Sequence, residues 1–172
     1  MDHFYKNITG FFDFEQIYLE QIQRIEKDGY FVELGTYLGK STAFMATEII
    51  NSKKNIRFDA IEWWDYHYRK TKENLKNFSD KVNVIKGDSR KIFTQYKDDS
   101  LDFVFIDTSH TEEDTLLELQ GWYPKIKIGG VIAGHDFDHP GYPGVRIAVE
   151  KFFGKDYEVK KNECAVFLHT KK

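Results

Sequence analysis

Phe31-Val-Glu-Leu-Gly-Thr-Tyr-Leu-Gly-Lys-Ser-Thr42 has the pattern of a buried strand, a turn carrying two glycines, and a helix start. Gly35 and Gly39 place no Cβ in the way, so such a turn can bring main-chain N–H groups and a helix N-terminus against a ligand. Glu33, just before the turn, sets the sign of that ligand. A carboxylate there repels phosphate and favours a group that carries positive charge or many hydroxyls.

Working outward, short apolar runs alternate with helical periodicity. An amphipathic helix is expected over residues 14–28, with Phe14, Ile17, Ile22 and Ile25 near helical spacing. Strands are expected at Tyr30–Leu34, Ile56–Glu62, Val82–Lys86, Leu101–Ile106 and Gly129–Ala133. Helices are expected at Ser41–Ile50 (opened by the capping pair Ser41-Thr42), Tyr66–Phe78, residues 89–96, 111–121 and Val145–Phe153. Tyr157–Lys160 and Ala165–His169, separated by Lys161-Asn-Glu-Cys164, form a hairpin pattern. The implied fold is α/β: a Rossmann-like, doubly wound, mainly parallel seven-stranded sheet with an antiparallel C-terminal hairpin and helices on both faces. One domain over 1–172 is expected, with an N-terminal helical segment at 1–28 and a core at 30–172. Ligands of such sheets bind outside the carboxyl ends of the strands. Glu33, Glu62, Asp88, Asp107 and Asp136 fall at those five ends.

Composition narrows the classes. The chain is 41% hydrophobic and 31% charged, an ordinary globular balance. Its net charge of −3 gives no basic excess for nucleic acid or a membrane surface. No apolar run approaches the roughly 20 residues of a membrane helix. The single cysteine, Cys164, excludes an internal disulfide and fits a reducing compartment, so a cytoplasmic location is expected.

Taken in order, these residues resemble those of class I S-adenosylmethionine-dependent methyltransferases. Glu33-Leu-Gly-Thr-Tyr-Leu-Gly-Lys-Ser41 resembles their first motif, in the catechol O-methyltransferase form with a tyrosine between the glycines. Ala60-Ile-Glu62 resembles the second. Phe105-Ile-Asp107-Thr-Ser-His110 and Gly129-Gly-Val-Ile-Ala-Gly-His135-Asp136 resemble the metal-dependent O-methyltransferases, the macrolide-sugar group among them. The likeness runs from about residue 30 to 153. Two departures stand out: Tyr37 replaces the middle glycine of the broad fingerprint, and His135 stands where relatives have an acidic metal ligand.

The resemblance implies a site. Glu33 would complement the cationic methionyl end of the cofactor, with Gly35, Thr36, Tyr37 and Gly39 forming the turn and Ser41 bonding the methionyl carboxylate. Glu62 would accept from the ribose hydroxyls, Trp63 would face the adenine, and Asp88 and Ser89 would meet the adenine edge. Asp107 would serve cofactor and metal. Two carboxylates at neighbouring strand ends, Asp107 and Asp136, repel unless a cation or proton sits between them. Mg²⁺ resolves that repulsion, and His135 as a third ligand would shift the preference towards Mn²⁺. His110 occupies the general-base position. The loop Asp138-His-Pro-Gly-Tyr-Pro-Gly144 would border the acceptor pocket, with Tyr142 as an aromatic wall.

The expected reaction is methyl transfer to a hydroxyl of a small molecule or sugar, with no nucleic acid or membrane partner. A chain this short leaves little for a lid, so a partner subunit, a second copy included, is a candidate to complete the pocket. The alternatives are a metal-independent N- or C-methyltransferase, a non-catalytic cofactor binder, and a nicotinamide-dependent oxidoreductase. The last expects Gly-x-Gly-x-x-Gly, which Leu34-Gly-Thr-Tyr-Leu-Gly39 does not supply.

Overall fold

The structure, a computed structural model, describes residues 1–161 and 164–172. Its strands are β1 (Asp28–Leu34), β2 (Asn55–Glu62), β3 (Asn83–Lys86), β4 (Leu101–Ile106), β5 (Ile126–Gly134), β6 (Glu158–Lys160) and β7 (Val166–Thr170). Its α-helices are α1 (Glu15–Arg24), α2 (Lys40–Ser52), α3 (Asp65–Asn74), α4 (Ser89–Ile92), α5 (Glu112–Trp122) and α6 (Pro143–Phe153). The seven strands form one sheet in the order β3-β2-β1-β4-β5-β7-β6. The doubly wound plan with an antiparallel end, expected from the strand–helix alternation, is therefore present. Two compact units make up the chain, Met1–Asp88 and Ser89–Lys172.

In the first unit β1 pairs parallel to β2, and β2 parallel to β3. Phe31, Val32 and Leu34 of β1 and Phe58, Ala60 and Ile61 of β2 are buried, as strands covered on both faces must be. An aromatic group fills much of the remainder. Phe12 meets Phe14 edge-on at 4.6 Å, and both Tyr5 and Phe12 lie against Phe44 of α2 at 5.2 Å. Such pairs add about 0.5–1.5 kcal/mol beyond their buried area.

Three expectations need correction here. The first helix ends at Arg24 instead of 28, because Ile25 is already extended (φ −77°, ψ 125°) and Asp28 enters the sheet opposite Asn55. Asn55 Nδ2 donates to Asp28 Oδ1 at 2.7 Å and holds that register. The helix expected at Tyr66–Phe78 stops at Asn74 and continues as a 3₁₀ turn, Lys76–Phe78. Leu75 and Phe78 are both buried, and residues three apart share a face in 3₁₀ geometry. Finally, Ser41 and Thr42 do not cap α2. The cap is Gly39 in the left-handed region (φ 86°), and the two hydroxyls are directed elsewhere.

In the second unit β4 pairs parallel to β5, β5 antiparallel to β7, and β7 antiparallel to β6. Strand β5 starts three residues before the expected Gly129. Its pairing shifts register opposite Leu101–Phe103, and Gly129 takes φ +80° there. A left-handed glycine lets a strand run through such an irregularity. The hairpin pattern is realised by β6 and β7; of its connecting Lys161-Asn-Glu-Cys164, residues 162 and 163 lie outside the described residues. Among the described residues, no helix is long and apolar enough to cross a membrane.

Helix α6 abuts the chain just after β4. A Cβ built on Gly144 would lie 2.4 Å from the Glu112 amide nitrogen and 2.8 Å from the His110 carbonyl oxygen. Both are backbone atoms and cannot swing aside, so helix and loop must separate. Gly144→Ala is expected to cost about 1–3 kcal/mol or more, read as a lower urea midpoint, and to lower turnover by displacing the His110 loop.

Candidate active site

In the first unit the glycine turn is held by one buried carboxylate. Glu62, the last residue of β2, accepts from the Thr36 amide (3.1 Å), the Thr36 hydroxyl (3.3 Å) and the Tyr37 amide (3.0 Å) at Oε2. Its Oε1 accepts from the Trp64 amide at 2.9 Å. Helix α3 braces the same turn from the other side: Thr71 Oγ1 donates to the Tyr37 carbonyl at 3.1 Å, and Asn74 Nδ2 to the Leu38 carbonyl at 2.9 Å. Tyr37 takes φ 49°, uncommon for a residue with a side chain. A carboxylate has about four acceptor sites, so a ligand hydroxyl at Glu62 would displace a present donor. The Thr36 hydroxyl is the one with somewhere to go, since Thr71 Oγ1 lies 3.0 Å away.

Glu33 is buried within β1 and takes three hydroxyl donors. Tyr18 (2.8 Å) and Ser41 (2.5 Å) meet Oε1, and Thr42 (2.5 Å) meets Oε2. The Ser41 hydroxyl, expected at the methionyl carboxylate, here faces Glu33. Tyr18 was not singled out in the sequence; it lies 15 residues before Glu33 on a helix whose pattern marks it only as core. Asp88 is buried at the end of this unit. Trp63, Trp64 and Tyr66 are exposed, and so is Tyr37, whose ring edge meets His67 at 4.8 Å.

The second unit brings Asp107, His110 and Asp136 together. His110 Nε2 lies 3.0 Å from Asp107 Oδ1 and 3.0 Å from Asp136 Oδ2. Both His110 (φ 62°) and Asp136 (φ 58°) are left-handed, which turns their side chains towards each other out of tight bends. Burial disfavours the imidazolium, but hydrogen bonds to Asp107 and Asp136 outweigh it and push His110 up to about 9. Burial likewise opposes the Asp136 charge, and the two histidines overcome it, holding Asp136 well below the usual carboxylate range. Tyr142 stacks on His110 at 4.6 Å, and His139 stacks on Tyr142, also at 4.6 Å. Tyr142, expected to wall the acceptor pocket, thus packs directly on the candidate base.

The donor atoms of Asp107, His110 and Asp136 all lie within 4.8 Å of one another, a spacing that suits a divalent cation. His135 is not in that set. Its Nδ1 lies 3.2 Å from Asp136 Oδ2, and it groups with Asp136 and Cys164 instead. The donor atoms of the expected ligands Asp107, His135 and Asp136 do not form one such group among the described residues; Asp136 is shared between a group with Asp107 and His110 and a group with His135 and Cys164.

Ser89, expected at the adenine edge, donates to Glu118 Oε1 at 2.5 Å, and Thr108 donates to Glu118 Oε2 at 2.8 Å. Glu118 therefore ties the residue after Asp107 to the start of α4, and no feature of the sequence marked it. Burial pushes its carboxyl up to about 7, against the pull of those two hydroxyls. A folded pKa above the unfolded value of about 4.5 gives stability that is full below pH 4.5 and is lost as pH rises through 7. The loss is on the order of 3 kcal/mol. Glu118→Gln should remove this loss, read as a flatter urea midpoint between pH 5 and pH 8.

Residues 32–137 match the family described as a methyltransferase domain. The chain belongs to that family. It is an S-adenosylmethionine-dependent methyltransferase, and the matched span includes every motif described above. Solved structures share the methyltransferase's fold. One is a provisionally named caffeoyl-CoA O-methyltransferase from Staphylococcus aureus, at 16% identity and TM-score 0.73, covering 95% of this chain and 86% of that one. Another is the TDP-rhamnose 3′-O-methyltransferase of calicheamicin biosynthesis, at 17% and 0.72, covering 88% and 75%. A third is an O-methyltransferase from Bacillus cereus in complex with SAH, at 18% and 0.68, covering 91% and 78%.

Proposed function

We propose that this methyltransferase transfers a methyl group to a hydroxyl of a small molecule or sugar, with a divalent cation held by Asp107 and Asp136 and His110 as general base. The observation that carries this reading is one imidazole nitrogen at 3.0 Å from each of two carboxylates. That cluster combines a proton acceptor with a pair of hard oxygen ligands, which is what activation of a hydroxyl needs. That neighbours sharing the fold are O-methyltransferases supports the choice of oxygen.

The cofactor supplies a methyl group on a cationic sulfur, and the cation, when bound, lowers the pKa of an acceptor hydroxyl. The chain's own residues do the rest. The buried Glu62 fixes the turn over Gly35–Gly39, the buried Glu33 takes the hydroxyls of Ser41 and Thr42 just beyond it, and together they give the turn negative potential suited to a sulfonium and an ammonium. His110 Nε2 is the atom that takes the hydroxyl proton. While both carboxylates hold it, His110 is charged at neutral pH, so base function requires at least one of them to turn away. A cation held by Asp107 and Asp136 would engage these carboxylates and so leave the imidazole free to accept a proton. Tyr142, stacked on the ring, keeps Nε2 aimed at the carboxylates.

The test is transfer of a tritiated methyl group from S-adenosylmethionine to a panel of sugars and phenols, with and without chelator. Label in a hydroxyl acceptor, lost on chelation and restored by Mg²⁺ or Mn²⁺, is expected. Transfer indifferent to chelator would remove the cation from the reading, and label on nitrogen or carbon would replace the acceptor class.

A further inference from the structure

Asp136 belongs to two groups of ligand atoms. The second joins it to His135 and Cys164, whose donor atoms also lie within 4.8 Å of one another. Cys164 is the chain's one cysteine, and backbone bonds fix its place. The Phe137 amide donates to the Ala165 carbonyl at 2.9 Å, and the Ala165 amide donates to Asp138 Oδ1 at 3.0 Å. The residue after the thiol is thus tied to the two residues after Asp136. On the other side the His135 amide donates to the Ile106 carbonyl at 3.0 Å, anchoring the buried imidazole to the end of β4.

We propose that His135, Asp136 and Cys164 form a site for a soft divalent cation, Zn²⁺ above all, chemically distinct from the Asp107–His110–Asp136 set. Sulfur, imidazole nitrogen and one carboxylate oxygen are the donors zinc takes, whereas Mg²⁺ avoids thiolate. Around one tetrahedral zinc such donors stand roughly 3.3–3.7 Å apart, given bonds of about 2.0–2.3 Å. The His135–Asp136 separation of 3.2 Å is already there. The thiol has at most about an ångström to close, within reach of a side-chain rotation. Three protein ligands leave the fourth position to water or a small anion. The oxygen facing His135 is the same Asp136 Oδ2 that faces His110. A cation at the softer site therefore draws that oxygen from His110, and occupancies of the two groups are coupled through one carboxylate. The site stands independently of the methyl-transfer reading.

Two measurements on the full chain test it. Titration with Co²⁺, a spectroscopic stand-in for Zn²⁺, should give a thiolate-to-cobalt charge-transfer band at one equivalent, abolished by Zn²⁺ and not abolished by Mg²⁺. The band should vanish in Cys164→Ser and persist in Asp107→Asn. Alkylation of the unmodified protein by iodoacetamide, followed by mass, needs no variant: Zn²⁺ should slow it by at least about tenfold, since only an accessible thiolate reacts, and Mg²⁺ should not. Absence of the band, its loss in a folded Asp107→Asn protein, or alkylation indifferent to Zn²⁺ would each overturn the site. A chain that shows the band yet transfers no methyl keeps this site and loses the function proposed above.

Discussion

His110→Ala is expected to lower turnover by about 10²- to 10⁴-fold, the usual contribution of a positioned general base. Affinity for S-adenosylmethionine should hardly change, because the groups assigned to the cofactor turn, Glu33 and Glu62, belong to other bonds. Steady-state kinetics and a calorimetric titration read the two quantities separately. Equal losses in both would mean that His110 shapes the cofactor site and does not serve the reacting hydroxyl. The substitution also leaves Asp107 and Asp136 without the imidazole that faces both, so their repulsion should be visible as tighter cation binding in the variant.

Glu33→Ala is expected to be the most destabilising single change at the site, by about 3 kcal/mol or more. It removes the acceptor of three hydroxyls, those of Tyr18, Ser41 and Thr42, in a place water does not reach. Each stranded polar group costs about 1–3 kcal/mol, and a cavity adds to that. Glu33→Gln keeps one carbonyl oxygen and nearly the same volume, so it should cost distinctly less. Urea denaturation of the two variants separates loss of an acceptor from loss of charge. If Ala and Gln behaved alike, the hydroxyl contacts would be of little consequence and the charge itself would be what the fold needs.

The fold was legible because its signals are local. Leu101–Ile106 is an almost continuous run of apolar β-formers, and the strand has those bounds. The five acids were legible as a group because each follows an apolar run, and strand ends are where an α/β sheet presents its ligands. What the acids bond to was not legible. Tyr18 reaches Glu33 from 15 residues away, and Glu118 meets Ser89 from 29 away. Neither pairing leaves a periodic trace, because it depends on how helices are placed over strands and not on local propensity. His110 and His135 show the same limit at finer scale. Both precede or follow an aspartate at a strand end, yet the turn of the backbone decides which imidazole meets Asp107. The helix predicted to run through 28 failed for a different reason: apolar spacing continued to Ile25, while pairing of Asp28 with Asn55 took the chain into the sheet.

Among the described residues, three of the five non-glycine residues with positive φ are Tyr37, His110 and Asp136, each in a motif turn. Holding a side chain in that region costs on the order of 1 kcal/mol that glycine would avoid. Selection for thermal robustness alone would therefore push these positions towards glycine and erase the chemistry. Stabilising screens of this protein should be run with an activity filter, since the fold and the reaction want different residues at the same bends.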